Sequence, residues 1–227
     1  MALGHNGAMD SIDAVIFDLD GTLTDSEHWW DEVRRALAAA HGRAWPGEAT
    51  AAMMGMSTPE WAGYLIDVVG IPGTWRAVAD RVIDGMVAKY RAGVPLLPGA
   101  DAAIRRVAAR WPVAICSSSP RRLIDAVVDE MGWAGLLGAR VSTEEVPHGK
   151  PAPDGPLRAA ELLGADPGRV VAIEDATNGL LAAMAAGMRT VAVPPHFQPP
   201  SQDVLARCDA VIDNLDELSN ELISALR

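Results

Sequence analysis

The sequence predicts an α/β fold: a mostly parallel sheet with helices on both faces, interrupted near its start by a small helical domain. Three observations predict it. Short apolar runs at 15–17, 112–116, 170–173 and 190–193 read as strands buried on both faces. Helical stretches of about ten to fifteen residues separate most of them, as in βαβ units. From about residue 27 to 93, by contrast, the chain reads as helices with no convincing strand.

Taken in order, Val15-Ile16-Phe17 forms the first strand and ends in two carboxylates, Asp18 and Asp20, then Gly21 and Thr22. Period two puts both acids on one side of the extended backbone, about 6–7 Å apart. There they repel unless something positive or protonated lies between them. Helices follow at Trp29–His41, Pro59–Val69 and Trp75–Arg91, with breakers at Trp45-Pro46-Gly47 and Gly70-Ile71-Pro72-Gly73. Ser57 or Thr58 caps the second, with Pro59 at N1 and Glu60 in the first turn. The stiff connector Val94-Pro95-Leu96-Leu97-Pro98-Gly99 leads back to the sheet. The chain thus divides into a discontinuous core, 1–26 and 94–227, and a helical domain, 27–93.

Within the core the reading is helix 100–110, strand 112–116, helix 121–131, a short strand from Val141, and helix 154–163 capped by Asp154. Strand 170–173, helix 179–186, strand 190–193, a short strand 210–212 and helix 215–226 complete it.

Composition narrows the function. A net charge of -11 with no basic groove argues against a nucleic-acid partner. It leaves room for a small phosphate ester, because one local lysine and a metal outweigh a distant negative field. No segment is apolar over the length a bilayer requires, so no membrane partner is expected. Met1–Ser11 is polar and Gly-rich and reads as a frayed terminus rather than a signal peptide. Cys116 and Cys208 suggest buried thiols, and the five histidines form no zinc cluster. A cytoplasmic monomer is the expectation.

In a parallel sheet, ligands sit beyond the carboxyl ends of the strands. Four segments carry polar groups at or just beyond such ends: Asp18 and Asp20, Ser117-Ser118-Ser119, Lys150 after the strand at Val141, and Glu174-Asp175. Singly, each has a plainer reading. The serines also suit a loop and helix cap, Lys150 a solvated surface, and Glu174-Asp175 a cap for the next helix. Together they make one coherent cluster.

The run Val15 to Ser26, Ser117, Lys150 within Gly149-Lys150-Pro151-Ala152-Pro153-Asp154, and Glu174-Asp175-Ala176-Thr177-Asn178-Gly179 resemble the four motifs of the haloacid dehalogenase superfamily. The resemblance runs from Ala14 to about Val193. It is closest to the subgroup of β-phosphoglucomutase and the small sugar-phosphate phosphatases. It implies a Rossmann-like core with an inserted helical cap. It also implies that Asp18 is the nucleophile, Asp20 the general acid and base, Ser117 a hydroxyl donor, and Lys150 a point charge on nucleophile and phosphate. Mg2+ would be held by Asp18, the Asp20 carbonyl and Asp175, with Glu174 beside it directly or through water. Backbone N–H groups of Leu19, Asp20 and Ser118 would donate to the phosphate. Ala176 departs from the family, where serine is usual.

Substrate contacts from the cap are expected at Glu27, Trp30, Gly55 and Thr58, with Trp30 shaping a pocket or stacking on a sugar. Asp20 argues against the dehalogenase branch, and the lack of an early cap lysine argues against the phosphonatases. The mutases carry a cap histidine and arginine where Trp30 and Thr58 stand; His28 lies two positions early on another helical face. The resemblance therefore implies a Mg2+-dependent phosphatase acting on a small phosphorylated metabolite, a sugar or polyol phosphate. A phosphosugar mutase is the alternative, and a non-catalytic phosphometabolite-binding protein a remote one.

Overall fold

The computed structural model describes residues 12–53, 56–196 and 199–226. Strand β1 (Ala14–Phe17) is followed by helices α1 (Glu27–Ala40), α2 (Ala49–Met53), α3 (Thr58–Asp67) and α4 (Trp75–Ala92). Then come α5 (Ala100–Ala108), β2 (Val113–Ser117), α6 (Arg121–Glu130), β3 (Leu137–Ser142), α7 (Asp154–Leu163) and β4 (Val170–Glu174). The chain ends with α8 (Thr177–Ala185), β5 (Arg189–Ala192), α9 (Gln202–Leu205), β6 (Ala210–Val211) and α10 (Asn220–Ala225). The sheet has six strands in the order β3-β2-β1-β4-β5-β6, all parallel.

Alternation along the strands sorts side chains onto the two faces. Val15, Phe17, Ile115, Val171 and Ile173 pack on one side with Ile104, Leu123 and Ile223, from α5, α6 and α10. Ala14, Ile16, Ala114, Cys116 and Ala172 pack on the other with Ala159, Ala160 and Ala183, from α7 and α8. Large side chains thus cushion the first helix layer, while small ones let the second sit close. The helices inserted after β1 build their own part of the core around Trp61, Leu65, Met86 and Tyr90. Among the described residues no helix is long and apolar enough to cross a membrane.

Three local expectations need correction. Strand β3 begins at Leu137 and ends at Ser142, rather than starting at Val141. It is an edge strand paired with β2 alone, so Gly138 faces solvent and no continuous apolar run marks it. Asp154 is the first residue of α7 and not its cap; its carboxylate accepts from His148 Nδ1 at 3.0 Å. The closing helix is broken into a 3-10 turn, Leu215–Glu217, and α10. Ser219 caps α10, its hydroxyl accepting from the Leu222 N–H at 3.0 Å, while Arg106 donates to the carbonyls of Leu215 and Leu218. Met1–Ser11 and Gly55 lie outside the described residues.

Candidate active site

The strand order reverses at β1, which pairs with β2 on one side and β4 on the other. Such a reversal opens a crevice at the carboxyl ends of the two strands. Phe17 is level with Ile173, so Asp18 and Glu174 leave the sheet side by side, and the Asp18 N–H donates to the Ile173 carbonyl at 2.9 Å. Lys150 arrives from the segment after β3. Its ammonium donates to Asp18 Oδ1 at 2.6 Å, Glu174 Oε1 at 2.6 Å and the Cys116 carbonyl at 3.1 Å. All three of its protons are used.

Lys150, Asp18 and Glu174 are each more than nine-tenths buried. Burial alone would lower the Lys150 pKa, but the two carboxylates more than reverse this and hold it well above its ordinary value. One ammonium does not satisfy its acidic neighbours. Burial, opposed by Lys150, still raises the Asp18 carboxyl, and Glu174 is raised strongly for the same reason. Asp175 is pushed up to about 7 by burial and by the charge of Asp18. Thr22 donates to it at 3.2 Å.

Oxygens of Asp18, Glu174 and Asp175 lie within 4.8 Å of one another. Three carboxylates against one ammonium leave two negative charges uncompensated, and every donor is a hard oxygen. That set fits a hard divalent cation. Two glycines make the approach possible. A Cβ on Gly21, whose φ is +87°, would lie 2.2 Å from Asp175 Oδ2, and one on Gly179 would lie 1.9 Å from Glu174 Oε2.

Asp20 is held by hydroxyls. Oδ1 accepts from Ser26 at 2.6 Å and Tyr90 at 3.4 Å; Oδ2 accepts from Ser119 at 2.7 Å and Ser117 at 3.2 Å. Ser119 belongs to the serine run that the sequence places after a strand, whereas the contacts of Ser26 and Tyr90 with Asp20 are not predicted from the sequence; Tyr90 has no local signal, because only the fold brings the last turn of α4 back to β1.

Above the cluster lies a cleft of about 1130 Å³ between the inserted helices and the sheet. The carboxylates and Lys150 form its floor, with Ser117 and Ser118; Glu27, Trp30 and Thr58 belong to its upper wall. The Leu19 side chain is buried below the floor. Trp30 is only 8% exposed: Trp61 meets it edge-on at 6.0 Å, and the Arg34 guanidinium lies 5.0 Å from its ring centre. Little of the ring is left to stack on a sugar. A smaller cleft beside β3 is lined by Arg121, Asp125, Arg140 and Glu145, which already pair with one another.

Residues 12–187 match the haloacid dehalogenase-like hydrolase family. The chain belongs to that family. Hexitol phosphatase B of Escherichia coli K12 is 32% identical over 219 residues, 91% of this chain and 94% of that protein. The bifunctional riboflavin kinase/FMN phosphatase of Arabidopsis thaliana is 29% identical over 212 residues, 91% of this chain, but the chain spans only 54% of that protein. Among solved structures, CbbY from Rhodobacter sphaeroides in complex with phosphate superposes with a TM-score of 0.82 at 25% identity, covering 93% of this chain and 99% of that one.

Proposed function

We propose that this haloacid dehalogenase-like hydrolase is a Mg2+-dependent phosphatase that cleaves a small phosphate monoester, a sugar or polyol phosphate, through an aspartyl-phosphate on Asp18. The observation that carries the reading is the buried Asp18–Lys150–Glu174 group under a cleft that also holds Asp20. In this reading residues 27–93 are the cap over the leaving group, and 1–26 with 94–227 the catalytic core.

Phosphoryl transfer needs an in-line attacker and counter-charge on the transferring oxygens. Lys150 occupies Oδ1 of Asp18, which leaves the other oxygen to attack phosphorus. As the ester P–O bond breaks, Asp20 gives its proton to the departing oxygen. Asp20 then takes a proton from water, the water oxygen attacks the acyl-phosphate, and phosphate leaves with Asp18 restored. Ser117 and the backbone N–H groups of Leu19 and Ser118 orient the phosphoryl oxygens. Asp18, Asp175 and the Asp20 carbonyl would hold Mg2+, with Glu174 alongside. When bound, the ion supplies positive charge between the acids and the phosphoryl group.

The test is phosphate release from a panel of hexose, pentose, polyol, nucleotide and phosphoamino-acid monoesters, with and without Mg2+, beside Asp18→Asn. The expected result is Mg2+-dependent release that Asp18→Asn reduces by at least ~1,000-fold, the scale of losing a nucleophile. Release that is indifferent to the substitution rejects the reading. Isomerisation of β-glucose 1-phosphate outpacing release would place the protein with the mutases.

A further inference from the structure

The inserted helices hold a buried cation that the proposed chemistry does not use. Arg34 is 8% exposed, yet it lines the cleft. Its guanidinium packs against two indoles that meet edge-on, 5.0 Å from the ring centre of Trp30 and 4.9 Å from that of Trp61. Among the described residues its Nε has no hydrogen-bond partner. A guanidinium is always a donor and never an acceptor, so the fold has buried a cation with at least one unused donor beside a binding cleft. The indoles stabilise the charge without satisfying its N–H bonds.

Glu27 stands on the same face of α1. Positions 27, 30 and 34 follow the three- and four-residue spacing that aligns side chains along a helix. Glu27 lies at the exposed rim of the cleft. Its charge and that of Arg34 act on each other, but no hydrogen bond joins them among the described residues. The wall therefore offers a donor and an acceptor set apart, of opposite charge. A second anion on the substrate would suit Arg34 but meet Glu27, and of the other charged residues lining that part of the cleft the acids Glu60, Asp80 and Glu144 outnumber the one arginine, Arg76. A neutral group that both accepts and donates suits the pair.

We infer that Arg34 and Glu27 form the leaving-group subsite and select a neutral polyol: one hydroxyl accepts from the Arg34 guanidinium and another donates to the Glu27 carboxylate. The inference rests on the phosphatase reading and adds to it the residues that read the leaving group.

The test compares kcat/KM for three substrates: a hexitol phosphate, the analogue deoxygenated along the chain, and acetyl phosphate, which has no hydroxyl. Wild type and the variants Arg34→Met and Glu27→Gln are assayed with each. Wild type should prefer the hexitol phosphate to its deoxy analogue. In Arg34→Met the ratio of hexitol phosphate to acetyl phosphate activity should fall by ~10-fold or more, the scale of hydrogen bonds to a charged group. Glu27→Gln, at the exposed rim, should lower the same ratio and serves if Arg34→Met does not fold. A ratio unchanged in both variants overturns the subsite, as does wild-type preference for a phosphorylated carboxylic acid or a bisphosphate. If wild type turns over acetyl phosphate but ignores the hydroxyls, the subsite fails and the phosphatase reading stands. If acetyl phosphate and all esters are inert, both fail.

Discussion

Lys150 is the residue on which the floor of the cleft depends. It donates to Asp18, Glu174 and the Cys116 carbonyl from a site more than nine-tenths buried. Removing one partner of a buried ion pair leaves a desolvated charge behind, a loss of about 3–5 kcal/mol. Lys150→Met should therefore lower the unfolding free energy by about that much at pH 7.5 in EDTA, and abolish phosphate release. A urea melt matching wild type would contradict the ion-pair account. The acids beside Lys150 also set a pH dependence. With its carboxyl raised to about 7, Asp175 keeps a proton in the folded protein at pH values where the unfolded chain has lost it. The folded state thus binds more protons between about pH 4 and pH 7, so stability is greatest at the acid end of that window and falls as pH rises. Asp18 and Glu174 are shifted in the same direction. Urea melts in EDTA should show that fall, and Mg2+ should reduce it; stability rising with pH in EDTA would count against the acidic cluster as described.

At the scale of elements, α8 starts immediately beyond Glu174-Asp175, and its Gly179 has no room for a side chain. Ordinarily Gly→Ala inside a helix gains about 0.5–1 kcal/mol. Here the new methyl would overlap the Glu174 carboxylate that Lys150 holds. Gly179→Ala should gain no stability and should reduce activity by ~10-fold or more; a stabilised, fully active variant would contradict the geometry. Helix α4 has a comparable link to the sheet. Tyr90 is fully buried, and its hydroxyl donates to Asp20 from the last turn of that helix. Tyr90→Phe should lower kcat severalfold while changing stability by only about 1 kcal/mol, the worth of one hydrogen bond.

These elements also show what could be read from the chain in advance. Strands buried on both faces announced themselves as apolar runs, and the polar residues at their ends could be placed together by the rule for parallel sheets. Edge strand β3 could not, because solvent on its flank removes the continuous apolar signal. Tyr90, Thr22 and Arg34 carry no local signature, since each meets its partners only after distant segments pack. The space around Gly179 is equally a property of the folded chain.

The molecule as a whole joins two parts. A parallel sheet gathers Asp18, Asp20, Lys150, Glu174 and Asp175 at its topological reversal, and the inserted helices close a cleft over them. In the mechanism proposed above, Asp18 carries the phosphoryl group from the ester to water. This is tested most directly by acid-quenching the enzyme during turnover of a 32P-labelled ester, treating it with neutral hydroxylamine, and mapping the modified peptide. An acyl-phosphate predicts protein-bound label that hydroxylamine releases, a hydroxamate at Asp18, and neither in Asp18→Asn. Rapid turnover with no label at any quench time, or label on Ser117 that resists hydroxylamine, would contradict it.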